Sequence, residues 1–195
     1  MNICLVNPTR RLQPGLKGIA KALASRRHNV TVLTPRLPTQ EDDFQSSQSI
    51  RVETYPAAFV PRIRYTIPSF IGQLRVLRRA FNSDVDVICL YKYFYPVAWV
   101  PLLYAKVCRI PVLLITDSFP GISWKYGSRF VDLVASAYSK SVGRLILRLS
   151  DRVIIFSPSL LKPARQLGVN DGKLSVVAKG VDFDRFGGHF ESCLL

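Results

Sequence analysis

Acidic side chains are scarce in this chain: 13 Asp and Glu stand against 27 Lys and Arg, and the net charge is +14. Such a surface attracts polyanions, whether nucleic acid, anionic lipid or a phosphorylated substrate, and charge alone does not choose among them. No uninterrupted apolar run approaches the roughly 20 residues that span a bilayer. The greasiest stretch, Val97–Cys108, contains Pro101 and Lys106 and reads as a buried helix. Met1–Pro8 has no basic leader and no small-residue cleavage site, so it reads as a first strand. Of the 2 histidines, His28 belongs to a turn and His189 to the tail, which excludes Ser/His/Asp and Cys/His catalysis. Cys4, Cys89, Cys108 and Cys193 have neither metal-ligand nor redox-pair spacing and are expected to be buried, reduced thiols of a cytosolic protein. There is no G-x-G-x-x-G and no P-loop, which argues against NAD and a Walker-type ATPase. No cofactor or metal is expected. No nucleic-acid-binding motif is recognisable, and internal repeats are absent.

What is present is a regular alternation. The chain is 48% apolar and long enough for one domain with a full core. Asn2–Asn7, Asn29–Thr34 (closed by Pro35), Ile50–Tyr55, Asp86–Leu90, Pro111–Thr116, Arg152–Phe156 and Leu174–Ala178 read as strands. Helices are predicted around Leu16–Leu23, over Val97–Arg109 and Phe130–Leu149, and over Ser159–Leu167, the last capped by Ser157 or Ser159 and stopped by Gly168. Ile67, Phe70, Ile71, Leu74, Leu77 and Phe81 are placed on one face of a further helix, and Pro38–Ser49 in an exposed loop. The expected fold class is α/β: a single Rossmann-like domain with a parallel sheet of about seven strands and helices on both faces.

Ligands of such sheets bind outside the carboxyl ends of the strands, which selects a few segments. In the first, Arg10, Arg11, Gly15, Lys17 and Gly18 surround a helix start whose amide N–H groups could face an anion. In the second, Tyr91, Tyr93 and Tyr95 follow a strand directly, where rings stack on sugars, contact an acyl chain or pack beneath the next helix. Asp117 ends the most apolar strand, a costly place for an unpaired carboxylate, and is read as orienting an acceptor hydroxyl or capping the next turn. Ser118 and Trp124 lie in the loop beyond it. Lys140, Arg144 and Arg148, at i, i+4 and i+8, form a basic stripe that Arg75, Arg78 and Arg79 extend, suited to an anionic membrane surface or to plain solvation.

These segments resemble family-4 glycosyltransferases of the GT-B fold. Asn2–Pro35 is similar to the family's first strand, helix and Gly-His-x-Val-x-Val-Leu-Thr turn, with Arg27 in place of the Gly. Ser150–Ser157 through Val169 resembles its Asp-x-Val-Ile-x-x-Ser … Gly-Val stretch, and Lys179–Phe186 its Asn-Gly-Val-Asp … Phe hinge, here Gly180, Val181 and Asp182. The family often carries His-Asp after its fifth strand; here Thr116-Asp117 stands there, so the Asp matches and the His is missing. Asp117–Trp124 resembles a subset associated with envelope or lipid-linked glycans.

The resemblance implies that residues 1–186 are the acceptor-side N-terminal domain of a retaining transferase using a nucleotide-sugar donor. Asp117 would be catalytic; Arg10, Arg11, Gly15, Lys17, Gly18, Tyr91, Tyr93, Tyr95, Ser118 and Trp124 would meet the acceptor. The donor domain and its Glu-x7-Glu motif are not found in this sequence, so the chain alone is expected to be inactive. Residues 187–195 read as an irregular tail, the mark of truncation, a frameshift or a split enzyme with a separate C-terminal half. Implied partners are a nucleotide sugar, a glycan or lipid-linked acceptor and an anionic membrane surface, with a cytoplasmic or inner-face location and no specific nucleic acid. The alternatives are a basic nucleic-acid-binding module and a non-catalytic partner of a separate enzyme half.

Overall fold

The computed structural model describes residues 1–9, 11–36, 49–60, 65–80, 85–178 and 180. Among the described residues eight strands form one sheet: β1 (Asn2–Val6), β2 (Asn29–Arg36), β3 (Ile50–Val60), β4 (Tyr65–Pro68), β5 (Val87–Tyr91), β6 (Val112–Thr116), β7 (Arg152–Ile155) and β8 (Leu174–Val176). Their order is β4-β3-β2-β1-β5-β6-β7-β8. All pairings are parallel except that of β3 with β4. The seven parallel strands match the expected sheet; the antiparallel edge hairpin is an addition that the sequence reading merged into the next helix.

Helices cover both faces. On one, α1 (Pro14–Ser25) buries Leu16 and Ala20 against Ile3, Leu5, Val30 and Val32. The other carries α2 (Phe70–Ala80), α3 (Trp99–Val107), α5 (Arg144–Leu149) and α6 (Leu161–Gln166), whose Leu77, Leu102, Ala105, Ile146, Leu147 and Ala164 share a core with Cys4, Ile88, Leu90, Leu114 and Val153. Each inward position along a strand alternates with one facing the opposite layer, so near-continuous apolar strands result. Among the described residues no helix is long and apolar enough to cross a membrane.

Several sequence expectations are corrected. Strand β2 continues through Pro35, which pairs with Tyr55, and β3 runs on to Val60. Ile67 lies in β4, and Phe70 and Ile71 are 43% and 68% exposed; α2 instead turns Gln73 and Leu77 inward. Buried Gln73 is tolerated there because its Nε2 donates to Val97 O at 2.8 Å. The predicted helix over Phe130–Leu149 is three segments: α4 (Arg129–Tyr138), a π-helical turn over Ser139–Gly143, and α5. Cys108 is exposed, whereas burial pushes the thiols of Cys4 and Cys89 up, that of Cys89 to about 12. Phe81, Cys193, His189 and nearly all of Pro38–Ser49 fall outside the described residues.

Two of the motif residues have structural work. Arg27 ends α1 with φ 64°, the left-handed conformation that glycine adopts without strain. Asp151 accepts Val112 N at 2.8 Å and Lys106 Nζ at 2.7 Å, tying the amino ends of β6 and β7 to α3.

Candidate functional site

Strand β1 lies between β2 and β5, so the chain reverses direction across the sheet at the β1–β5 boundary. Next to that switch point β5 and β6 end side by side, with Tyr91 opposite Ile115. The backbone then bends through Lys92, which has φ 66° and whose N–H donates to Ile115 O at 2.8 Å. A non-glycine residue held left-handed stores strain, and such positions gather at ligand sites. The bend brings Lys92 Nζ to 3.1 Å from Asp117 Oδ2, while Ser118 Oγ donates to Asp117 Oδ1 at 3.2 Å. Both charged side chains are partly exposed, 24% and 35%, so the pair can exchange partners with a ligand at modest desolvation cost.

This ion pair forms one wall of a cavity of about 360 Å³. Tyr93, Phe94 and Tyr95 form a second wall, and Pro120, Trp124 and Tyr126 a third. Each ring is held by its neighbours. Tyr95 stacks on Tyr65 with centroids 5.0 Å apart, and the Tyr65 hydroxyl donates to Phe94 O. Trp124 and Tyr126 meet edge to face at 4.4 Å. Burial, and then the Asp117 carboxylate, raise the Tyr95 hydroxyl above its usual pKa, so it stays a neutral donor.

Beneath the rings lies a hydrogen-bonded support. Ser139 Oγ donates to Pro120 O at 2.8 Å, which leaves Tyr93 Oη to donate to Ser139 Oγ at 2.9 Å. The π-helical turn places Ser139 there and brings Gly143 against the Tyr93 ring; a Cβ on Gly143 would lie 2.6 Å from Tyr93 Cε2. Gly121, at φ 75°, lets the loop pass α4, where an added Cβ would meet Ser136 N at 2.3 Å. The loop then closes through Gly121 N to Trp124 O, 2.8 Å, and Tyr126 N to Asp132 Oδ1, 2.6 Å.

The structure thus assembles Tyr93, Tyr95, Asp117, Ser118 and Trp124 in one place. Tyr93 contributes only a wall, since it is fully buried. Tyr91 turns to the opposite layer beneath α1 and is 3% exposed. Arg11, Gly15, Lys17 and Gly18 stand apart, beyond β1, around the start of α1. Asn7 organises that loop by donating to Thr9 O and Thr34 Oγ1, at 2.8 and 2.9 Å. Gly18 faces open space, and Arg10 is outside the described residues.

Thr116 also lines the cavity, but it is 1% exposed and its Oγ1 is engaged in donating to Ser118 O at 2.9 Å. Of the hinge residues Gly180 is exposed, while Val181 and Asp182 are outside the described residues. Lys140, Arg144, Arg148, Arg75, Arg78 and Arg79 are all exposed. The π-helical turn interrupts the regular spacing of the first three, and α3 separates α5 from α2.

Sequence reasoning missed Lys92, Phe94, Tyr126 and Ser139. Lys92 carried a readable signal, a lone cation one residue after an apolar strand and inside an aromatic run. Ser139 carried none, because only the π-helical turn directs it inward.

The order of these motifs is matched by the family model for Glycosyltransferase Family 4 over residues 15–185. The chain belongs to that family. An uncharacterized glycosyltransferase of Methanocaldococcus jannaschii, MJ1069, is 22% identical over 162 residues, covering 81% of this chain and 41% of that protein. Among solved structures, sucrose-phosphate synthase from Thermosynechococcus elongatus is similar with TM-score 0.71 and 16% identity, over 94% of this chain and 49% of that one. Anabaena Alr3699/HepE, in a complex with UDP-glucose, follows with TM-score 0.60 and 15% identity, over 94% and 45%. The family-4 chain thus spans about half the length, or less, of these relatives. The structural likenesses establish the fold, one mostly parallel α/β domain of the GT-B kind.

Proposed function

We propose that this domain is the acceptor-binding half of a retaining glycosyltransferase, and that the cavity between β5 and β6 receives a sugar of the acceptor. One observation carries this reading: in a family-4 chain, an aromatic-walled cavity is joined to a Lys92–Asp117 pair at the carboxyl ends of adjacent strands. A sugar ring has apolar C–H faces, which suit Tyr95 and Trp124, and a rim of hydroxyls. Asp117 accepts from an acceptor hydroxyl and aligns its oxygen for transfer; Lys92 and the Tyr95 hydroxyl donate to neighbouring oxygens. Because Lys92 offsets the carboxylate, the site does not repel a phosphate-bearing acceptor.

The donor is a nucleotide sugar held chiefly by a second half, across the cleft at which Gly180, Val181 and Asp182 form the hinge. The first loop, with Arg11, Gly15, Lys17 and Gly18, faces donor or acceptor phosphate from the neighbouring strand end. Positioning between two bodies supplies much of the rate in such a reaction, so this chain alone is inactive. Trp124 fluorescence tests the site. Titration with octyl glucoside below its micelle concentration should give saturable quenching that Asp117→Asn weakens, and UDP-glucose should bind less well. Tighter binding of UDP-glucose than of the glycoside, or indifference to Asp117→Asn, would overturn the assignment.

A further inference from the structure

Between Trp124 and Val134 the surface is unusually apolar. Trp124, Tyr126, Phe130, Leu133 and Val134 are 51, 42, 75, 68 and 53% exposed. Phe130, Leu133 and Val134 follow i, i+3, i+4 spacing and share a face of α4, which buries Ala135 fully and packs Tyr138 against the core. The hydrogen bond from Tyr126 N to Asp132 and the contact of the Trp124 and Tyr126 rings join loop and helix into one platform. Trp124 and Tyr126 also line the cavity, so its mouth opens at the platform's edge.

We propose that this platform docks in the interface of an anionic lipid bilayer and holds the cavity mouth against it. Lys125 and Arg129, interleaved in the chain with the apolar side chains, are exposed, as is Lys140 in the turn after α4, and the carboxylate within the platform, Asp132, is occupied by the Tyr126 amide. A Trp, a Tyr and a Phe beside aliphatic residues and exposed cations is the chemistry of a bilayer interface, where rings sit at headgroup depth and cations meet lipid phosphate. A second copy of the chain is a poor occupant, because two bodies of net charge +14 would be pressed together. The helix continues from this rim through the π-helical turn into α5, toward the amino end of β7, so Arg144 and Arg148 lie away from the platform. Attachment therefore has an apolar, salt-resistant part that a purely basic patch would lack. Resting on the cavity's reading as the acceptor site, the acceptor is amphiphilic, with its sugar in the cavity and its chain in the bilayer.

The test is co-sedimentation with phosphatidylcholine vesicles, with and without about a third phosphatidylglycerol, at low and high salt. The chain should partition onto the anionic vesicles, and the pair Phe130→Ser with Leu133→Ser should reduce partitioning at least about tenfold at both salts. Lys125→Gln with Arg129→Gln should reduce it mainly at low salt, and Val107→Ser, at an exposed apolar site on α3, should leave it unchanged. In a Trp99→Phe background, Trp124 fluorescence should shift to the blue on anionic vesicles and be quenched by brominated lipid. Absent partitioning, unchanged binding of the Phe130/Leu133 variant, unquenched Trp124, or a dimer that this variant converts to monomer would each overturn the proposal. If vesicles bind as expected and octyl glucoside does not, the acceptor reading fails and the docking surface stands.

Discussion

Lys92 and Asp117 show how much one backbone angle can decide. Without the left-handed turn at Lys92, its ammonium would not reach the β6 end, and Asp117 would face five aromatic rings with no cation beside it. Lys92→Met should weaken octyl glucoside binding by roughly tenfold, about 1.4 kcal/mol, while leaving the thermal transition nearly unchanged. Arg27 is the reverse case, a left-handed residue with no site to serve. Arg27→Gly should stabilise the fold by about 1 kcal/mol and raise Tm by about 2–4 °C, read by differential scanning calorimetry. Asp151 couples folding to pH. Burial opposes its charge, but hydrogen bonds from Lys106 and the Val112 amide, with the charges of Lys106 and Lys173, hold its carboxyl below the usual value. A depressed folded-state pKa gives stability that is present above the unfolded value and is lost as pH falls through the folded one. Urea melts should therefore show Asp151→Asn less stable than the parent at neutral pH, with the gap closing below the ordinary carboxylate range.

At the level of elements, the cavity depends on the helix over Arg129–Leu149 being irregular. A regular helix would not direct Ser139 to Tyr93 and Pro120 while fitting Gly143 against the Tyr93 ring. Gly143→Ala should cost about 1–3 kcal/mol, because both the ring and the helix backbone are fixed. Gly121→Ala combines a positive φ with a backbone clash and should cost more, over about 3 kcal/mol, with loss of the Trp124 environment in near-UV circular dichroism. Apolar spacing reported the helix correctly and its interruption not at all, since the inserted turn is a response to tertiary packing. The β4 strand escaped for a related reason: Ile67 continues the helical spacing of Phe70, Ile71 and Leu74, and only pairing with Ala58 on β3 makes it extended.

For the whole molecule, charge and domain content lead to two expectations. Binding to duplex DNA should be weak, indifferent to sequence, and lost between roughly 50 and 200 mM salt, as counterion release predicts for a basic surface without a reading motif. Sequence-selective binding that survives physiological salt would favour a nucleic-acid module instead. The pure chain should show no turnover with a panel of nucleotide sugars and lipid-linked acceptors. Robust turnover would mean that the donor site lies within these residues.

The layered parallel sheet could be read from the chain because strand and helix periods are local properties: the apolar runs at Ile3–Val6, Ile88–Tyr91 and Val112–Thr116 permit little else. Asp117 and Trp124, which line the cavity, were legible as candidates because a loop after a buried strand has no core to join. The grouping of those residues was not legible. That Tyr95 faces the cavity while Tyr91 packs beneath α1 follows from strand phase and the bend at Lys92. That the first loop stands apart from Asp117 follows from the position of β5 between β1 and β6. The sequence determined which residues could be buried and which could carry chemistry. Tertiary structure decided which of them meet, because that depends on strand order, on the left-handed Lys92 and Gly121 and on the π-helical turn at Ser139–Gly143, none of which leaves a periodic trace in the chain.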